Sequence, residues 1–111
     1  MKMANPDQMK RIDQLAINKY KIPGVVLMET AAQRVAEKAR EMLGERLQDK
    51  KTVVIAGKGN NGGDAFAAAR HLHQWGCQVA VVSLAPAGEI KGDPEIYVRI
   101  LEQLGIEINY L

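Results

Sequence analysis

The spacing of apolar residues first predicts two helices. Ile12, Leu15 and Ala16 recur at helical spacing, and a longer helix is predicted over residues 25–43. The apolar positions of the second helix are mostly small, which indicates that it lies close to whatever it covers. They form one predicted buried stripe: Met28, Ala31, Ala32, Val35, Ala39 and Met42.

From residue 51 onwards, β-branched runs alternate with helical spacing. Residues 52–56 are a continuous apolar run, which is typical of a strand that is buried on both faces. A loop over residues 57–63 and a helix over 64–75 follow. A strand at 78–84, a helix from residue 93 to 104 and a strand at 106–110 complete the pattern. This alternation predicts parallel strands joined by right-handed helical crossovers, and therefore an α/β fold.

The length and the number of strands indicate part of a fold. Residues 1–111 fit one small domain without internal repeats or linkers. Sheets commonly contain five or six strands, whereas this pattern predicts three. The sequence therefore predicts the first half of a doubly wound α/β domain. Its unpaired strand edge favours association with a second copy, so we expect a homodimer.

Composition narrows the classes of protein and of partner. Hydrophobic residues make up 47% of the chain and charged residues 25%, as in ordinary globular proteins. The net charge of +2 is spread along the chain, so nothing favours a nucleic-acid partner. Cys77 is the only cysteine, which excludes an internal disulfide and a multi-cysteine metal site. The polar N-terminus and the lack of a long apolar run predict a cytoplasmic protein without a membrane segment.

The loop between the first strand and the next helix is the candidate ligand site. Four of the seven residues in the stretch 57–63 are glycine. Glycines let a backbone approach a ligand closely, and a helix N-terminus after a strand attracts phosphate. Asn60 and Asn61 add amide groups, and Asp64 can cap the helix or hold a ligand hydroxyl. We therefore predict that Asn60, Asn61, Gly62, Gly63 and Asp64 bind a phosphate-bearing substrate.

Alternative interpretations of this loop remain open. Residues 57–62 read G-x-G-x-x-G, but Val82 and Ser83 stand where a dinucleotide fingerprint needs an acidic residue. No Lys-Ser or Lys-Thr pair follows the last glycine, so the loop is not a Walker motif. Asn-Gly also favours a structural turn, although the helical spacing that follows argues against a hairpin.

The order of these motifs resembles a known family. Asn60-Asn61-Gly62-Gly63-Asp64, after a Val-Ile strand and before Ala69-Arg70-His71-Leu72, resembles the signature of the YjeF N-terminal family, the NAD(P)HX epimerases. Residues 27–32, Leu-Met-Glu-Thr-Ala-Ala, resemble its conserved helix. Ala65 and Ala32 replace residues that are commonly glycine in the family, and both changes are small.

The resemblance implies a fold, a reaction and a cation. The fold is a Rossmann-like three-layer α/β/α domain, about twice as long as this chain. The reaction interconverts the R and S forms of hydrated NADH and NADPH in metabolite repair. Asn60 to Asp64 would line the dinucleotide phosphate site, and Asn61 would give an oxygen to a potassium ion. The acid/base residue would lie outside this chain, so no catalytic residue is assigned here.

Two other functions are compatible with the same residues. One is a non-catalytic binding or scaffold module of this fold, since fold alone does not determine function. The other is a fragment of a bifunctional protein in which the epimerase is fused to a kinase-like dehydratase. His71 and His73 are expected to be surface or structural histidines and not metal ligands, and Glu29 is expected either to pair with loop N–H groups or to face water.

Overall fold

The computed structural model describes residues 6–19 and 21–111. Within these ranges an amino-terminal helix pair precedes a strand–helix–strand–helix–strand unit. The elements are α1 (Pro6–Lys19), α2 (Gly24–Leu43), β1 (Lys51–Ala56), α3 (Asn60–Gln74), β2 (Gln78–Ser83), α4 (Asp93–Gln103) and β3 (Ile108–Tyr110). No helix in the described part of the chain has both the length and the apolar character needed to cross a membrane.

The three strands form the predicted parallel sheet. Their order is β1-β2-β3, and the register pairs Lys51 with Gln78 at one end and Ala56 with Ser83 at the other. The last strand is shorter than predicted. It begins at Ile108, and the Ile106 N–H instead donates to the Leu101 carbonyl at 2.9 Å, in the turn that ends α4.

Helix α3 occupies the centre of the packed layer. It lies against β1 and β2 on one side and contacts both α2 and α4. Its inward-facing residues are small or flat enough for all these neighbours to approach. The residues of α3 that are at most 4% exposed are Phe66, Ala67, Ala68, Ala69 and Leu72.

The buried stripe of α2 is narrower than predicted. Met28, Ala32 and Ala36 are buried at four-residue spacing. Val35 and Met42, which were predicted to be buried, are 54% and 80% exposed. Successive helical residues point about 100° apart, so a helix that touches its neighbours along one side leaves residues next to the stripe in solvent.

One face of the sheet is uncovered in the described part of the chain. Val53 and Ile55 are 56% and 63% exposed, which contradicts the prediction of a first strand buried on both faces. The strands follow one another in order, so two right-handed crossovers place α3 and α4 on the same side. The α/β class and the parallel sheet are thus confirmed, and the described residues form the sheet with one helical layer. We call the other side, which carries Val53, Ile55, Ala80 and Val82, the open face.

We predict that the open face makes the isolated chain self-associate. Exposed apolar patches tend to be covered by another surface. Replacing both Val53 and Ile55 by threonine keeps β-branched side chains on the strand and should weaken association by roughly tenfold, or about 1.4 kcal/mol. Sedimentation velocity over a concentration series measures this. Met42→Thr, which changes an exposed apolar residue on α2, is the matched control; a wild-type chain that is monomeric at every concentration would contradict the prediction.

Candidate functional site

The predicted ligand loop lies at the carboxyl edge of the sheet, where β1 ends. It is shorter than predicted, because α3 already begins at Asn60 and not at Asp64. Gly59 makes this early start possible. It precedes the helix with φ 74° and ψ −153°, a conformation that favours glycine. Four of the predicted ligand residues, Asn60 to Gly63, therefore lie in the first turn of a helix.

Gly62 is required for space and not for an unusual backbone angle. A positive φ would be the usual reason for glycine in such a loop, but here Gly59 has it while Gly62 is helical and buried. The Gly62 N–H donates to the Gly59 carbonyl at 3.1 Å. A methyl group on Gly62 would run into the backbone carbonyl oxygen of Gly57. The first turn of α3 therefore packs directly on the chain that leaves β1.

Gly63 makes a second close contact, with the other helices. A methyl group there would lie 2.5 Å from Sδ of Met28 and 3.0 Å from Cγ of Pro94. At the start of α2, a methyl group on Gly24 would similarly meet the carboxylate of Asp93. The N-terminal ends of α2, α3 and α4 therefore converge at the carboxyl edge of the sheet. Each helix start contributes the positive end of its dipole to this edge, where the carboxylate of Asp93 also lies.

The predicted site residues thus come together, but their ligand contacts stay predictions. Gly62 and Gly63 are buried, whereas Asp64 is half-buried and Lys58 is exposed. The side chains of Asn60 and Asn61 lie outside the part of the chain that the structure describes. Among the described residues, no three His, Cys, Asp or Glu side chains are grouped so that they could hold a metal ion.

A polar cluster beside the loop was missed by sequence reasoning. Glu29 on α2 accepts a hydrogen bond from the Tyr97 hydroxyl at 2.7 Å and contacts Nε2 of His71 at 2.8 Å. Arg70 forms an ion pair with the same carboxylate. The expectations for Glu29, loop N–H groups or water, did not include these side-chain partners. The His71 side chain is 13% exposed, so of the two roles expected for it, surface or structural, the structural one fits. We call these four residues the Glu29 cluster.

The Glu29 cluster favours the charged form of its carboxylate. Burial raises the pKa of Glu29, but the hydrogen bond from Tyr97 and the charges of Arg70 and His71 outweigh it and lower the pKa overall. Burial and the hydrogen bond to Glu29 raise the pKa of Tyr97 above its ordinary value. At neutral pH the cluster therefore holds an ionised carboxylate that accepts from a neutral phenol.

A groove at the opposite end of α2 has a different character. It runs between the C-terminal turn of α2 and Trp75, and charged residues such as Glu41 and Arg46 line it. The Arg40 guanidinium lies 4.9 Å from the centroid of the Trp75 ring. Because that cation already covers the ring, Trp75 is not a free stacking platform for a base.

Comparison with known proteins agrees with the arrangement at the carboxyl edge. A model of the family described as "YjeF-related protein N-terminus" matches residues 24–111. The chain belongs to this family. The match includes all of the elements from α2 to β3. It confirms the resemblance that the motif over residues 60–64 and the upstream helix suggested.

The relatives of this YjeF-related chain are longer proteins. An NAD(P)H-hydrate epimerase of Rhodopirellula baltica is 39% identical over 102 residues, which are 92% of this chain and 40% of the relative. A bifunctional NAD(P)H-hydrate repair enzyme of Moorella thermoacetica is 36% identical over 95% of this chain and 20% of its own length. The chain thus spans about two fifths of the first relative and one fifth of the second.

A solved structure shows the same fold. The crystal structure of the yeast protein ynu0 superposes with a TM-score of 0.82 and 27% sequence identity. The superposition covers 99% of this chain and 47% of the yeast chain. More than half of that protein therefore lies beyond the region that the two share.

The tight packing at the glycine turn predicts position-specific effects of alanine. Alanine in place of Gly62 meets the Gly57 carbonyl, and the clash should outweigh the gain in helix propensity. We expect a loss of about 1–3 kcal/mol in the free energy of unfolding, measured by urea denaturation. Gly57→Ala is the control, because a methyl group there meets nothing within 4 Å. Its effect should stay within about 0.5 kcal/mol, and equal effects of the two variants would refute the packing account.

Proposed function

We propose that this chain forms the nucleotide-binding part of an NAD(P)H-hydrate epimerase. The observation that carries the proposal is the Asn60–Asp64 segment, which begins a helix at the carboxyl edge of a parallel sheet in a chain of this family. In open α/β sheets, ligands bind at this edge. Relatives named NAD(P)H-hydrate epimerase add support, since the Rhodopirellula protein is 39% identical over 92% of this chain.

The phosphates of hydrated NADH or NADPH would bind against the first turn of α3. A helix start leaves backbone N–H groups without helical acceptors, and the helix dipole adds positive potential. Three helix starts meet at this edge, and the exposed Lys58 adds a positive charge next to the turn. The close packing of Gly62 on Gly57, and of Gly63 on Met28 and Pro94, holds this first turn in place at the edge.

A potassium ion is the proposed cofactor, with Asn61 as one ligand. The donor chemistry at the turn fits such an ion, because amide and backbone carbonyl oxygens are neutral hard donors. Among the described residues, no three His, Cys, Asp or Glu side chains are grouped as a divalent-ion site would need. A bound potassium ion would supply positive charge that offsets part of the charge of the pyrophosphate.

The division of labour within the whole enzyme follows from this placement. Residues of this chain would hold and orient the dinucleotide, while a carboxylate outside it would move the proton at the hydrated nicotinamide carbon. Segments beyond this chain would cover the open face, and a homodimer is the proposed assembly. We propose a cytoplasmic location, which suits the free and buried thiol of Cys77.

Two alternatives concern the protein that contains this chain. Bifunctional repair enzymes of Moorella thermoacetica and Salinibacter ruber match 95% and 86% of the chain, which supports a fused second domain, a kinase-like dehydratase. A non-catalytic scaffold of the same fold would also keep the sheet and the helices. The complete motif over residues 60–64 favours the enzyme, since a scaffold needs no phosphate or cation site.

A hybrid enzyme tests the proposed function directly. The chain would replace the matching 102 residues of the Rhodopirellula epimerase. We expect the hybrid to interconvert the two epimers, and Asp64→Ala to raise KM roughly tenfold through a lost hydrogen bond. Asp49→Ala, which changes an exposed aspartate before the start of β1, at the opposite end of that strand from Asp64, is the control. A hybrid that folds without activity, or that does not fold as one domain, would reject the assignment.

The potassium site has its own test in the same hybrid. Epimerase activity should rise with potassium and respond less to lithium, whose ion is much smaller. Asn61→Ala should flatten the potassium response and leave the thermal unfolding transition in place, because the glycine contacts remain. Activity titrations at constant ionic strength measure the response. A wild-type response in the variant would show that Asn61 is not a ligand.

A further inference from the structure

The Glu29 cluster links all three helices of the packed layer. The carboxylate belongs to α2, its two basic partners Arg70 and His71 belong to α3, and Tyr97 belongs to α4. The Tyr97 hydroxyl also lies 3.3 Å from the Val25 carbonyl oxygen, one turn before Glu29. Directional polar bonds therefore set the position of α2 relative to both neighbours.

The residue next to Glu29 in the sequence contacts the first turn of α3. Met28 precedes Glu29, and its thioether lies where a side chain on Gly63 would be. A shift of α2 by one residue would move Met28 by about 1.5 Å along the helix axis and turn it by about 100°. The contact with Gly63 would be lost. Apolar packing alone only weakly favours the observed register of α2 over a shifted one, because two of the three buried residues of α2 are alanines.

We propose that Glu29 is a positioning residue that holds α2 in register against α3 and so orders the first turn of α3 for anion binding. The proposal rests on the proposed function of that turn. The ionised carboxylate is what matters, since it binds a guanidinium, an imidazole and a phenol at once. Half-buried ion pairs add little net stability but can select one packing arrangement over others.

Acid should weaken this positioning. Glu29 faces Arg70 and His71 on α3 and Tyr97 on α4, with Asp93 acting on the same phenol from the start of α4. The pKa of Glu29 is lower in the folded state than its ordinary value of 4.5. Its contribution is therefore complete above pH 4.5 and is lost as the pH falls through the folded-state pKa.

Amide hydrogen exchange of the ligand-free 111-residue chain tests the proposal. Glu29→Gln keeps the size of the side chain and removes its charge. We expect protection factors of residues 62–66 to fall at least tenfold in this variant, with a change below twofold in β2. Wild-type protection at these amides should also fall as the pH is lowered from 4.5 through the folded-state pKa of Glu29, and Glu29→Gln should not show this fall. Glu95→Gln is the matched control, since Glu95 pairs with Arg99 at 2.7 Å on the outer side of α4.

Each outcome decides the proposal. Equal losses of protection in α3 and β2 would mean that Glu29 contributes only global stability, and unchanged protection would mean that it does not position the turn. Either result overturns the inference. NADPH added to the wild-type chain tests the proposed function separately. If NADPH does not protect residues 57–64, the ligand assignment fails, while the comparison of ligand-free variants still stands.

Discussion

The close approach of α3 to its neighbours is the constraint on which the rest of the structure depends. Buried alanines and Phe66 let β1, β2, α2 and α4 surround this one helix. At its start, Gly62 lies on the Gly57 carbonyl and Gly63 lies on the Met28 thioether, so the first turn has no side chain of its own at these two contacts. Packing and ligand access thus require the same small residues. A larger residue at this turn would move the helix and close the edge where a phosphate could bind.

Local sequence patterns were enough to predict the helices and strands, but not all of the long-range contacts of their side chains or the exposure of the sheet. A β-branched run that is followed by glycines and then by helical spacing predicts a strand that leads into the start of a helix. The structure contains this arrangement in β1 and α3. In the Glu29 cluster, Arg70 and Tyr97 follow Glu29 by 41 and 68 positions in the sequence, and no short-range spacing reveals such a pairing. The exposure of Val53 and Ile55 likewise depends on what covers the sheet, which a strand pattern cannot report. Ligand contacts of Asn60 and Asn61 stay predictions.

In the proposed enzyme the site is divided between segments, with binding groups on this chain and the catalytic group on another segment. At the carboxyl edge, the backbone of the first turn, Lys58 and Asp64 come from one continuous stretch. Relatives continue well beyond the matched region, and the yeast structure has more than half of its residues there. A carboxylate that acts on the nicotinamide can therefore come from the other side of the ligand. Such an arrangement lets one segment hold the dinucleotide rigidly while another supplies the chemistry.

If an anion binds where the three helix starts meet, as proposed, folding of the chain depends on the anion concentration. The starts of α2, α3 and α4 bring like partial charges together, and the carboxylate of Asp93 lies beside Gly24 at this point. An anion that binds the native edge and not the unfolded chain shifts the folding equilibrium by mass action. At a ligand concentration of 100 times Kd, the gain is about 2.7 kcal/mol. Under the proposed function, the melting temperature of the chain would therefore report ligand occupancy, and a ranking of nucleotides by their thermal shift would identify the preferred one without an assay of turnover.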